Sequence, residues 1–256
     1  MSGGGKKEDS ASQRWWEFYG IRYGMGTVIG AIILFYIFKT NDLLSPLLFL
    51  QKDGKLDGTQ LTLLAAYGLA YCYIASAPIL VLHAGRFIIN DGSNKIYAIV
   101  IRIILFIILP AIMAMITYAL SVNDSGTKLI CALSTFILSS ITFLQLIFIF
   151  NAVRHHKKLY EFYLRLSEKR ESATGDITNS YKHLREHGNS FFIVLLELAL
   201  GCALFTASRY KFIQPQSSSD VSVIYFVLIV LLWIFPAVFV WLVGTLFERN
   251  FSEHKN

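Results

Sequence analysis

The stretch SVIYFVLIVLLWIFPAVFVWLVGTL, residues 222–246, holds no Asp, Glu, Lys or Arg. About 20 apolar residues suffice for a helix to cross the hydrocarbon of a bilayer, so this stretch reads as a membrane span. Five further windows share its character: 23–39, 61–85, 97–120, 129–151 and 191–208. The first and fifth are short and extend into their flanks. Charged residues make up 16% of the chain, against about 25% in soluble domains, and they collect between the windows. A soluble domain of 256 residues buries one or two wholly apolar helices, not six. The expected class is an all-α polytopic membrane protein with six transmembrane helices.

The cationic residues orient it. Lys39, Lys52, Lys55, Lys128, Arg209 and Lys211 fall on one side of a six-span arrangement, and the other 17 of the 23 Lys and Arg residues fall on the opposite side. Basic loops stay in the cytoplasm, so both termini are expected there, in a plasma or inner membrane. The net charge of +6 follows from this topogenic bias and from anionic headgroups; it calls for no nucleic acid.

The expected organisation is a disordered cytoplasmic tail (1–13), spans one to four with an interfacial N-terminal segment (14–151), a cytoplasmic helical hairpin (152–190), spans five and six (191–247) and a cytoplasmic tail (248–256). Residues 1–13 are polar, with neither a signal-peptide pattern nor a glycine after Met1 for myristoylation. The cluster Arg14-Trp15-Trp16-Glu17-Phe18-Tyr19 reads as an aromatic belt at headgroup depth. Residues 43–50, apolar but too short to span, read as an interfacial or re-entrant segment. In the hairpin, Leu159, Phe162, Tyr163 and Leu166 recur at helical spacing among charges. A second short helix capped by Asp176 or Thr178 is expected to end at Gly188.

Chemistry is sparse. Glu197 is the carboxylate deep inside a span, and an intramembrane ionisable group is costly enough to suggest a function and a partner. At about 1.5 Å per residue, Arg102 and Glu197 both fall roughly 8–9 Å below the cytoplasmic edge, with Gln145 at similar depth and His83 slightly shallower. Such a polar layer could gate an ion path. It could equally be a static ion pair fixing helix register, with Arg102 free to snorkel to the interface. Gly26 and Gly30 in the first span, and Ala199, Ala203 and Ala207 in the fifth, supply the small-residue spacing that lets helices approach closely. Pro78, Pro110 and Pro236 fall inside spans and are expected to bend them. Cys72, Cys131 and Cys202 lie within spans without C-x-x-C spacing, which argues against a disulfide framework or a zinc site.

His183-Leu184-Arg185-Glu186-His187 spells the H-x-x-E-H pattern of one zinc-protease class. His183, Glu186 and His187 make weak metal candidates, because the segment lies in a His- and charge-rich loop with no catalytic domain around it. Neither G-x-S-x-G nor H-E-x-x-H occurs.

The expected function is therefore not enzymatic and needs no cofactor. The first reading is an oligomeric channel or pore-forming effector gated from the cytoplasmic side. The second is a scaffold that recruits a cytosolic partner at 152–190, through Arg154, Lys157, Lys158, Arg165, Lys169 and Arg170. A membrane-bound metallohydrolase comes last. The expected partners are the lipid bilayer, other copies of the chain and that cytosolic protein.

Overall fold

The computed structural model describes residues 20–41, 44–49, 56–84, 100, 104–121, 123–172, 176–209 and 220–254, with the backbone alone at 21–22, 105, 167–189, 209, 220–223 and 250–254. Every element among them is helical. In chain order they are α1 (Ile21–Thr40), a 3₁₀ turn (Ser45–Leu47), α2 (Gly58–Ala75), α3 (Ala77–Ala84), a π-helical turn (Ile104–Ile108), α4 (Leu109–Leu120), α5 (Ser125–Arg154), α6 (His156–Ser172), α7 (Asp176–Arg209) and α8 (Asp220–His254). Among the described residues, five helical stretches are long and apolar enough to cross a membrane: Tyr23–Thr40, Gly58–Ala84, Ser125–Arg154, Ser190–Ser208 and Ile224–Arg249. These match five of the six windows. The window 97–120 appears as a shorter apolar helix, Phe106–Leu120. Large apolar side chains point outward along these stretches, with Ile32, Phe150, Phe235 and Trp241 each more than 60% exposed. A water-soluble monomer rarely shows apolar surface on this scale; lipid contact accounts for it.

The chain forms two compact units. The first comprises Met1–Ala75 with Tyr181–Gly201. In it α1 and α2 run antiparallel. Tyr23 stacks on Tyr73 with ring centroids 4.7 Å apart, and at the opposite end Phe38 and Leu64 share a buried cluster. Between these ends the backbones come close. A Cβ on Gly68 would strike the Thr27 carbonyl oxygen and lie 2.8 Å from the Ala31 nitrogen, and one on Gly30 would lie 2.7 Å from the Gly68 oxygen.

The N-terminus of α2 is closed by a reciprocal capping box. Asp57 Oδ1 accepts from the Gln60 amide at 2.8 Å, and Gln60 Oε1 accepts from the Asp57 amide at 2.9 Å, which satisfies two otherwise orphan donors. The segment 43–50, read as interfacial or re-entrant, folds back on α1 and α2 where it is described. Asn41 starts a turn by accepting from the Leu44 and Ser45 amides, and Leu48 is fully buried with Phe38 and Leu64.

The second unit comprises Ser76–Ser180 with Cys202–Asn256. Its opening reflects Pro78, which lacks an N–H and whose ring crowds the carbonyl four residues back. The helix stops at Ala75 and restarts at Ala77. Pro110 acts similarly, following the π-helical turn at the start of α4. It leaves the Phe106 carbonyl without its usual helical donor, and Ser140 of α5 donates to that oxygen at 3.4 Å. At the other end of this pair the Lys128 ammonium sits 5.9 Å from the centre of the Tyr118 ring. Phe106 faces Ser140 and Tyr118 comes back beside Lys128, so α4 and α5 form an antiparallel hairpin. Pro236 lies inside an uninterrupted α8. Asp124 caps α5, its carboxylate accepting from the Thr127 amide at 3.0 Å and the Thr127 hydroxyl at 2.7 Å. Those bonds hold its carboxyl below the ordinary aspartate range.

The 152–190 region contains two helices, but the second does not end at Gly188: α7 continues from Asp176 to Arg209. A single glycine costs a helix interior only about 1 kcal/mol, and the apolar run that follows sustains the helix. Tyr163 of α6 donates to the His83 and Ala84 carbonyls at 3.2 and 3.0 Å. Leu159 is buried, and Tyr160 meets Phe247 edge to face at 5.6 Å. The apolar side of α6 is thus spent on the last turn of α3 and the C-terminal part of α8.

The α1–α2 approach makes a prediction. Gly68→Ala should destabilise the protein by about 1–3 kcal/mol through overpacking, read as a lower unfolding temperature in detergent. Gly24→Ala, where a Cβ meets nothing within 4 Å, should not lower it. Equal behaviour of the two variants would contradict this packing.

Candidate functional site: a buried carboxyl among three helices

Within the first unit, α7 turns one stripe inward. Ile193, Leu196, Glu197, Leu200 and Gly201 are buried, at the i, i+3, i+4, i+7, i+8 spacing of a helix face. Four of the five fit an apolar interior. Glu197 does not, yet its relative exposure is 0%.

Glycines make the room for it. A Cβ on Gly26 of α1 would lie 2.8 Å from Glu197 Oε1 and would clash with the Cys72 sulfur of α2. The carboxyl therefore sits where α1 has no side chain and α2 has a thiol. One turn along, the Tyr71 hydroxyl donates to the Glu197 backbone carbonyl at 2.7 Å. Gly201 packs on Ile33 of α1, a Cβ there lying 2.8 Å from Ile33 Cγ2 and 3.2 Å from the Tyr71 hydroxyl. Three helices thus converge on one carboxyl group. Among the described residues its oxygens meet no donor stronger than the Cys72 thiol. The Cys72 thiol is a weak donor, and Tyr71 spends its hydroxyl on the main chain.

The expected partner Arg102 lies outside the described residues, so the Glu197–Arg102 pair cannot be placed. Gln145 and His83 belong to the second unit and are described there. Gln145 of α5 is fully buried, with neither its amide nitrogen nor its oxygen bonded. Thr135, Ser139 and Thr142 of α5 return their hydroxyls to carbonyls of their own helix, and Ser140 donates to Phe106, so these four leave Gln145 unserved. His83 lies at the end of α3, where its carbonyl accepts from Tyr163.

The small-residue expectations divide. Gly26 and Gly30 both face neighbours from this chain, Gly26 toward Cys72 and Glu197 and Gly30 toward Gly68 and Tyr71. In α7 Ala203 and Ala207 are buried and Ala199 is half-buried. On α6 and the end of α5, Arg154, Lys157, Lys158 and Arg165 are exposed. Arg165 lies 3.8 Å from Glu161, a surface pair of little energetic weight. The side chains of Lys169, Arg170, His183, Glu186 and His187 lie outside the described residues. No group of three or more His, Cys, Asp or Glu able to hold a metal occurs among the described residues.

Sequence reasoning missed Gly68, Tyr71 and Gly201, placed Tyr163 on an apolar helix face without its bonds to α3, and gave Cys72 no role beyond arguing against a disulfide or a zinc site. Gly68 was detectable as a mid-window glycine that could match G-x-x-x-G on the first span. Which helix Tyr71 would meet had no local signal.

No protein-family model, no curated protein and no solved structure matches this chain.

Proposed function

We propose that the chain is a six-span membrane protein with both termini cytoplasmic, acting as an oligomeric channel or pore-forming effector gated from the cytoplasmic side, without enzymatic activity. The observation that carries the reading is Glu197. A fully buried carboxyl with only a weak thiol donor is expensive in an apolar bundle. A purely structural anchor has no use for it, whereas a gate that changes state does. Closed packing around Glu197 would be the resting state, and its disruption would open a polar path.

The six-span count is supported by two contacts of the second unit. Tyr163 ties the start of the segment after α5 to the end of α3, so these two helices end at one level. The chain between them must then cross once more, and the α4 helix, antiparallel to α5, is the segment available. The orientation rests on the basic residues of that same side. The α6 helix suits a gating role because its bonds reach the ends of α3 and α8, through Tyr163 and Tyr160.

A second reading, a scaffold for a cytosolic partner, is favoured by one observation. With its apolar side docked, α6 presents Lys157, Lys158 and Arg165 outward. Pull-down with full-length protein carrying Lys157→Glu, Lys158→Glu and Arg165→Glu tests it; an unchanged set of partners argues against recruitment.

The channel reading predicts ion flux in protein-loaded liposomes, altered at least tenfold by Glu197→Gln. A wild-type protein that leaves the liposomes as tight as empty ones, under every voltage and pH tried, would contradict it.

A further inference from the structure

We propose that the Gly26–Cys72–Glu197 socket is a proton-binding site, in which Glu197 is held as the neutral acid within the helix bundle. The argument is one of elimination. A carboxylate anion buried in an apolar medium requires a cation or several donors. Among the residues whose side chains are described, the groups facing Glu197 can be named helix by helix. From α1 comes Gly26, with no side chain and no titratable group. From α2 come Cys72, a weak donor, and Tyr71, whose hydroxyl is bonded to the Glu197 backbone carbonyl instead. The neighbouring inward positions of α7 itself are Ile193, Leu196, Leu200 and Gly201. Among the described residues neither carboxyl oxygen has a donor stronger than the Cys72 thiol. The species that this surrounding tolerates is the one without charge.

The ligand of the site is therefore the proton itself, exchanged as carboxylic acid to carboxylate plus a hydrated proton. The glycine at position 26 makes the exchange consequential. The socket holds the carboxyl closely, with Oε1 only 2.8 Å from where a Gly26 Cβ would sit and the Glu197 side chain fully buried. A newly formed carboxylate could gain water only by moving α7 away from α1 and α2. Proton release and helix separation are thus one event. This goes beyond the channel reading and holds whether or not the chain conducts ions.

Infrared spectroscopy of the full-length protein in liposomes at neutral pH tests it. Wild type should show the carbonyl stretch of a protonated carboxylic acid. That band should shift when the protein is made with glutamate carrying carbon-13 in its side-chain carboxyl, and it should be lost in Glu197→Gln. Absence of a glutamate-sensitive band in wild type would overturn the proposal, as would its persistence in Glu197→Gln. The isotope measurement uses unmutated protein, so it decides the matter even if the variant fails to fold. A protein that carries no current can still show the band, and a conducting one can lack it, so this result and the flux result fail separately.

Discussion

The structure depends on how closely two backbones approach. In lipid there is no hydrophobic force to press one apolar helix on another, so helices associate through van der Waals fit and a few polar bonds. Here the fit comes from Gly68, which seats against the Thr27 carbonyl, and from Gly30, which seats against the Gly68 carbonyl. Larger residues at either place would hold α1 and α2 apart. With the two in contact, Cys72 is carried to Gly26 and Tyr71 is aimed at α7. The carboxyl socket follows from those two placements. It is not an added feature but what the glycine contact leaves over.

The polar groups of this chain divide by how they are satisfied. Thr135, Ser139 and Thr142 of α5 return their hydroxyls to their own helix, which is the cheap solution in an apolar medium. Ser140 does more, supplying the donor that Pro110 removes from the Phe106 carbonyl. Tyr163 closes the end of α3 in the same spirit. Glu197 and Gln145 stand apart. Among the described residues these two are the fully buried side chains with no bond to any of their polar atoms beyond the Cys72 thiol at Glu197, which makes them the natural places to look for function.

The membrane class and most helices were legible because they rest on length and composition. Residues 222–246 could hardly be anything else. The helix boundaries were less legible. Gly188 looks like a stop, yet α7 passes through it, since the apolar run beyond outweighs one residue's propensity. The segment 43–50 is ambiguous by length alone, and only the packing of Leu48 on Phe38 and Leu64 settles its course. The residue pattern marked Glu197 as a carboxylate deep inside a span. It could not say which helices would surround it, because facing partners come from residues 26 and 72, far away in the chain. The G-x-x-x-G spacing announced a close contact at Gly26 and Gly30 without naming Gly68 as its counterpart.

The central claim is that α1 and α2 meet closely enough at Gly26 and Cys72 to enclose Glu197. Oxidising the full-length Gly26→Cys variant in liposomes and mapping its disulfides by mass spectrometry tests this most directly. The account predicts a bond between positions 26 and 72 that protects both thiols from maleimide. If both thiols stay free under the oxidant, or position 26 pairs instead with Cys131 or Cys202, the two helices do not meet there and the socket does not exist.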